Sequence, residues 1–183
     1  LDDLNKPYRG WKATFFEGGT RVPFFMQWPG VIPAGSRFSE PVSHFDIFAT
    51  AAGVAGVPLP GDRVIDGVDL LPYALGAKHG RPHEDLFWRS GVYQVVRSAD
   101  WKLQVNPTRD KVWLYDLAAD PTEQHDLAAA QPERVRQLLA KLAAFNSQQA
   151  ESLWPSLLEA PVLIDKPLNR PQAATDEFIY WSN

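Results

Sequence analysis

Fifteen residues from Arg9 to Pro23 (Arg-Gly-Trp-Lys-Ala-Thr-Phe-Phe-Glu-Gly-Gly-Thr-Arg-Val-Pro) limit what this chain can fold into more than any other stretch. Lys12 stands between Trp11 and the run Ala13-Thr14-Phe15-Phe16. An ammonium group in an apolar setting requires an anionic partner. Two readings follow: a lysine that lays its stem on Trp11 and keeps its head in water, or one reserved for an anionic substrate. Gly18-Gly19 permits positive φ angles, so a sharp turn is expected there. Val22 to Trp28 is then almost continuously apolar. Such a run reads as a strand covered on both faces, with a buried helical turn as the alternative.

Within this stretch Arg9 is a second cation three residues before Lys12, and is expected as a surface arginine. Glu17 is expected to pair with Arg21 or to cap the turn rather than to act as a base. Farther along, Ser43-His44-Phe45-Asp46 has the form of a helix N-terminus, with the Ser oxygen accepting from a free amide. Ile47, Phe48, Ala51, Ala52, Val54 and Ala55 give that helix an apolar stripe, and Gly56 with Pro58 ends it. Capping accounts for Asp46 without a metal, and no third ligand lies near His44. His79 and His83 are four apart, but Gly80 and Pro82 between them break a helical zinc face.

Residues 77 to 85 read as a polar linker into a smaller α+β unit. Leu86-Phe87-Trp88 and Tyr93 to Arg97 look like strands. Trp101-Lys102-Leu103-Gln104-Val105 alternates, with Trp101, Leu103 and Val105 on one face. Asn106 to Asp110 forms a turn, and Val112 to Tyr115 returns as the second arm of an antiparallel hairpin. Pro132 opens a helix with Val135, Leu138, Leu139, Leu142 and Phe145 on one side, expected to lie across the sheet. From 149 onward four prolines interrupt any periodicity, and Phe178-Ile179-Tyr180-Trp181 forms an apolar cluster. That cluster is expected to dock on its own domain or on a neighbouring subunit.

With 183 residues, 45% of them hydrophobic, and seven Trp, the chain can build a core. A net charge of −4 with no basic run argues against nucleic acid. No apolar stretch reaches the length of a membrane helix. There is no cysteine, so disulfide and thiolate chemistry are excluded from these residues.

The pattern Gly-x-Lys-x-Thr-x-x-Glu-Gly-Gly-x-Arg-Val-Pro, followed by Trp28-Pro29-Gly30-Val31-Ile32-Pro33-Ala34-Gly35, resembles the second half of the sulfatases. Further blocks follow in the expected order: Pro41 to Ile47, Ala52 to Pro58, Asp66 to Leu70, Val96 to Leu103, and Leu114 to Glu123 with Asp126-Leu127-Ala128. Ala49-Thr50-Ala51 departs from the family's usual Pro-Thr pair. The resemblance covers about residues 5 to 145. It implies an α/β fold class: the end of an alkaline-phosphatase-like α/β domain over residues 1–76, a small α+β subdomain over 77–148, and an irregular Pro-rich tail over 149–183.

It further implies a C-terminal piece of a sulfuric ester hydrolase, inactive alone, whose substrate is a small sulfate ester. Lys12 is the one residue to which the resemblance assigns a sulfate contact. The parent is expected to use a divalent metal (calcium) and a formylglycine made from a Cys or Ser in a Cys/Ser-x-Pro/Ala-x-Arg motif. That motif does not occur here, so no catalytic or metal-binding residue is assigned to this chain. The expected partner is the missing N-terminal half or, without it, a second copy; nucleic acid and membrane are not expected. A bacterial periplasmic or secreted location is implied by resemblance alone. Two other readings stand beside this one: part of a phosphonate or phosphodiester hydrolase of the same superfamily, or a non-catalytic module binding a partner through its aromatic tail.

Overall fold

The computed structural model describes residues 5–107, 110–151, 153–167 and 169–182. It forms two compact units, one from Leu1–Pro23 with Asp85–Asn183 and the other from Phe24–Glu84. Residues 1–4 and positions 108–109 of the expected hairpin turn lie outside the described residues.

The larger unit is built on an antiparallel sheet of four consecutive strands, β1 (Asp85–Ser90), β2 (Tyr93–Ser98), β3 (Trp101–Asn106) and β4 (Lys111–Asp116). The sequence predicts all four. The register pairs Val96 with Leu103 and Leu103 with Leu114, which lines up one apolar face. Against it lies α4 (Pro132–Ser147), preceded in the chain by the short helices α1 (Glu17–Thr20), α2 (Asp46–Val54) and α3 (Leu71–Ala74). Leu138 and Leu142 bury on Val96, Leu103 and Leu114, and Phe145 stacks on Phe87 at 4.2 Å. The helix thus follows the i, i+4 stripe read from the sequence.

The opposite face carries Tyr93, Val95, Lys102, Gln104, Asn106, Trp113 and Tyr115, as the alternation of side chains along each strand dictates. It too is covered, by the Arg9–Thr20 segment and by a second sheet of β5 (Glu159–Leu163) and β6 (Phe178–Ser182). Phe16, Val162, Ile164 and Ile179 close this second core. The tail expected to be irregular is therefore a β-hairpin, and its aromatic cluster docks on its own sheet. Trp181 tilts over Phe15 at 5.2 Å, and the Tyr180 carbonyl accepts from Asn106 Nδ2 at 3.0 Å. Both arms carry Pro or polar residues close by, which hides the strand pattern. The cross-strand partner Val162↔Ile179 supplies what local periodicity lacks.

In the Phe24–Glu84 unit, α2 buries the face opposite to the expected one. Asp46, Ala49 and Thr50 are buried, whereas Ile47 and Phe48 are 53% and 54% exposed. Polar pairing decides this. Asp46 accepts from the backbone amides of Ser43 (2.7 Å) and Val68 (2.8 Å), and Thr50 Oγ1 accepts from Leu70 (2.9 Å). The Ser43 hydroxyl makes no cap bond; the aspartate caps the turn instead. His83, in the expected linker, donates or accepts through Nε2 at 2.8 Å from Asp46 Oδ1, so the linker is tied down. The run Val22 to Trp28 forms no strand, and Val22 and Phe25 are 71% and 89% exposed. A strand requires a ladder partner, and no strand pairs with this run among the described residues.

Truncating Leu142 to Ala is expected to destabilise the larger unit by about 2–5 kcal/mol, as cavity-forming substitutions in packed cores do. Leu139→Ala, on the rim of the same helix, should cost no more than about 1 kcal/mol. Urea unfolding followed by tryptophan fluorescence checks both.

Candidate functional site

Local backbone geometry sets out the Arg9–Thr20 segment. The Thr14 amide donates to the Trp11 carbonyl at 2.8 Å, closing a tight turn with Lys12 and Ala13 at its tip. Thr14 Oγ1 donates to the same carbonyl and accepts from the Trp11 amide, so the turn is bound from both sides. The chain then enters α1, whose Gly18 amide donates back to the Arg9 carbonyl at 2.7 Å. The two glycines serve close approach rather than positive φ. A Cβ at Gly18 would stand 2.4 Å from the Gly10 carbonyl oxygen, and one at Gly19 would stand 2.0 Å from that of Thr14. The positive φ of this segment falls on Gly10, at 83°.

Lys12 is exposed at the tip of that turn, with no hydrogen bond or ion pair among the described residues. The apolar neighbours in sequence do not enclose it: Phe16 and Thr14 point into the core, and Lys12 takes the solvent side. Arg9 reverses its expectation in the other direction. Its guanidinium is only 11% exposed and donates from Nε to Asp165 at 2.8 Å, from Nη1 to the Tyr115 hydroxyl at 3.1 Å, and from Nη2 to Glu177. It also lies 4.9 Å above the Phe16 ring. Burial works against its charge, but Asp165, Tyr115 and Glu177 outweigh that and strengthen its hold on the proton. His44 is exposed and takes part in no cluster with Asp46.

The buried lysine of this chain is Lys102. Its ammonium is wholly inaccessible and bonds Glu17 Oε1 at 2.9 Å and Glu123 Oε1 at 3.0 Å, both carboxylates being buried. Gln104 Nε2 donates to Glu123 at 3.1 Å, and the Tyr93 hydroxyl donates to Gln104 Oε1. Tyr93 in turn accepts from the Phe15 amide at 3.1 Å, and the Glu17 amide donates to Glu123 Oε2. Each member thus has its partners, as a buried polar network requires. Arg21, the expected partner of Glu17, stands at 3.8 Å and is secondary. Sequence reasoning does not single out Lys102, because strand alternation sets it on the face away from Trp101, Leu103 and Val105 without telling whether that face is covered. The signal was present in Val95, Trp113 and Tyr115, which share that face and require cover.

Burial alone raises the Glu17 carboxyl, but Lys102, with Arg97 and Arg21 behind it, holds it below the usual glutamate range. Burial prevails at Glu123 and pushes it up, the neighbouring Glu17 charge adding to the effect that Lys102 offsets only in part. Among the described residues no three His, Cys, Asp or Glu side chains are placed to hold a metal ion, and the chain has no cysteine. The calcium implied by resemblance finds no donor set among the described residues, the Cys/Ser-x-Pro/Ala-x-Arg motif of the formylglycine does not occur in these residues, and no chemical step is assigned to either.

The motif blocks now have a physical meaning. Gly10 to Pro23, Val96 to Leu103 and Leu114 to Glu123 each contribute one charge to the Glu17–Lys102–Glu123 cluster. The family model described as N-sulphoglucosamine sulphohydrolase, C-terminal, matches residues 9–149. Steryl-sulfatase of Homo sapiens is 34% identical over 181 residues, covering 81% of this chain and 31% of that protein. Arylsulfatase D of Homo sapiens is 31% identical, covering 85% of this chain and 32% of that protein. The solved structure of Ps i-CgsB aligns with a TM-score of 0.70 at 27% identity, over 82% of this chain and 34% of that one. The chain belongs to the sulfatase family and matches its C-terminal part. It shares the alkaline-phosphatase-like α/β architecture of its structural relatives, and spans about a third of the length of the curated relatives it matches.

Replacing Lys102 by Met leaves two buried carboxylates facing each other, and is expected to cost about 3–5 kcal/mol at pH 7. The gap in stability between the two proteins should narrow as pH falls, although Glu123, whose folded pKa is raised, already gains from acid in the native chain and opposes Glu17 there. In the native chain the stability contributed by Glu17, whose folded pKa is depressed, is present above the ordinary glutamate value and is lost as pH falls through the folded one. In Lys102→Met, acid neutralises the unpaired carboxylates and recovers stability. Urea midpoints measured between pH 7 and pH 3 check this.

Proposed function

We propose that this chain is the C-terminal part of a sulfuric ester hydrolase and that Lys12 contacts the sulfate group of the substrate. One observation carries the reading of Lys12: an exposed, unpaired ammonium stands on a turn whose flanking residues are all fixed. Trp11 is held through its indole N–H to the Leu163 carbonyl at 2.8 Å, Thr14 is buried, and Gly18 and Gly19 press against the turn's backbone. Fixing a turn while leaving its one cation free is what an oxyanion contact requires. Hydrolysis of a sulfate monoester places negative charge on the departing oxygen and on the sulfuryl oxygens. A preoriented cation stabilises that charge where it develops, and lysine offers three donors from one compact charge.

The exposed apolar side chains of the Phe24–Glu84 unit, among them Phe25, Ile47, Phe48 and Val64, fit the same reading. Large apolar side chains left in water in this number fit a packing site, here for the remainder of the α/β domain. In that enzyme the calcium and the formylglycine belong to residues outside this chain, and the substrate is a sulfate ester.

In the full-length protein, Lys12→Ala is expected to lower kcat toward 4-nitrophenyl sulfate by about 10²–10³, by analogy with removal of one preorganised donor. A loss below about threefold in kcat/KM removes Lys12 from the substrate site. A 4-nitrophenyl phosphonate ester in the same assay, if turned over faster than the sulfate, overturns the assignment of the ester class.

A further inference from the structure

The family match ends at residue 149, yet residues beyond it, Leu163 and Asp165, bond directly to the Lys12 turn and its entry. The β5–β6 hairpin is fixed to the main sheet through Val162, Ile164 and Ile179, buried among Phe16, Tyr93, Trp113 and Tyr115. The Ile164 amide donates to the Glu177 carbonyl at 2.9 Å, and Lys166 pairs with Asp176 at 2.7 Å, so the hairpin stays closed beyond its ladder. At that point Asp165 and Glu177 stand on opposite arms and take Arg9 between them. Three more bonds converge there. Asp165 Oδ1 accepts from the Gly10 amide at 3.3 Å, Leu163 O accepts from the Trp11 indole, and Glu177 Oε1 accepts from the Trp113 indole at 3.3 Å. Every residue from Arg9 to Trp11 is thereby held by the hairpin, and Lys12 is the next residue along.

We propose that the C-terminal hairpin is a clasp that fixes the Lys12 turn, and that Asp165 and Glu177, acting through Arg9, are positioning residues for sulfate-ester hydrolysis. The proposal rests on the reading of Lys12 as the sulfate contact. The guanidinium is required for its geometry as well as its charge. Three nitrogens address three acceptors on two arms of the hairpin and one strand of the sheet, which a single ammonium cannot reproduce. Misplacement of a contacting group by about 1 Å can cost about 10²-fold in rate, so loosening the clasp should be felt at Lys12 without any change in the groups that meet the substrate.

The test uses the full-length protein carrying Asp165→Asn with Glu177→Gln, and separately Arg9→Lys, each with and without Lys12→Ala. Hydrogen–deuterium exchange reads the clasp itself. Amides 9–20 should exchange at least about tenfold faster in both variants, with β2 and β3 amides unchanged as the internal control for folding. Turnover of 4-nitrophenyl sulfate reads the role. kcat should fall by about tenfold to a hundredfold with KM near the native value, and the same substitutions should cost little further once Lys12 is Ala. Unchanged exchange over residues 9–20 overturns the clasp. Faster exchange with full kcat, while Lys12→Ala alone is crippling, overturns the positioning role and leaves Lys12 in place. A loss below about threefold for Lys12→Ala alone overturns the reading of Lys12 and, with it, any service of the clasp to the reaction.

Discussion

A single buried ammonium organises the larger unit of this protein. Lys102 carries its charge from the middle strand of the sheet into a space closed to water, and an isolated cation there would be intolerable. Two carboxylates answer it from distant parts of the chain, Glu17 from 85 residues upstream and Glu123 from the turn after β4. The geometry satisfies the remaining polar atoms through Gln104, Tyr93 and the amides of Phe15 and Glu17. Such a cluster contributes less to net stability than its short distances suggest, because three ions must be desolvated to form it. What it imposes is register: only one placement of the Arg9–Thr20 segment brings Glu17 to Lys102 while Phe16 reaches the aromatic core.

That placement is then reinforced by exclusion. The backbone of α1 lies so near the carbonyls of residues 9 to 14 that no side chain fits at positions 18 or 19. Electrostatic anchoring from the sheet, steric closeness within the segment and the Arg9 bonds to the hairpin act from three directions on the same few residues. Among the described residues of this segment, the charged group left outside the web is Lys12. Attractive forces hold the frame, and the unpaired cation is what the frame displays.

The Phe24–Glu84 unit follows a different logic. Its helix buries an aspartate and a threonine and leaves isoleucine and phenylalanine in water, the inverse of an autonomous amphipathic helix. Asp46 explains the inversion locally, since it satisfies the amides of Ser43 and Val68 and meets His83. Backbone groups that would otherwise be orphaned outweigh apolar burial inside so small a unit. The Asp66–Leu70 block is therefore a bonding partner of α2, which accounts for why those two stretches read as separate motifs in sequence.

The sequence by itself determined the four-stranded sheet and the helix across it, because strand alternation and the i, i+4 stripe are local patterns that survive without knowledge of neighbours; its ordered motif blocks carried the resemblance to the family. It also singled out the Arg9–Pro23 stretch as the critical one. Tertiary structure alone decided which lysine is buried, whether Arg9 faces solvent, that the tail is a hairpin, and that Val22 to Trp28 is no strand. Each of those outcomes depends on what covers a surface, and the partners of Lys102 and Arg9 lie as far as 85 and 168 positions away. A periodic pattern tells which side chains share a face; only the folded chain tells whether that face meets water.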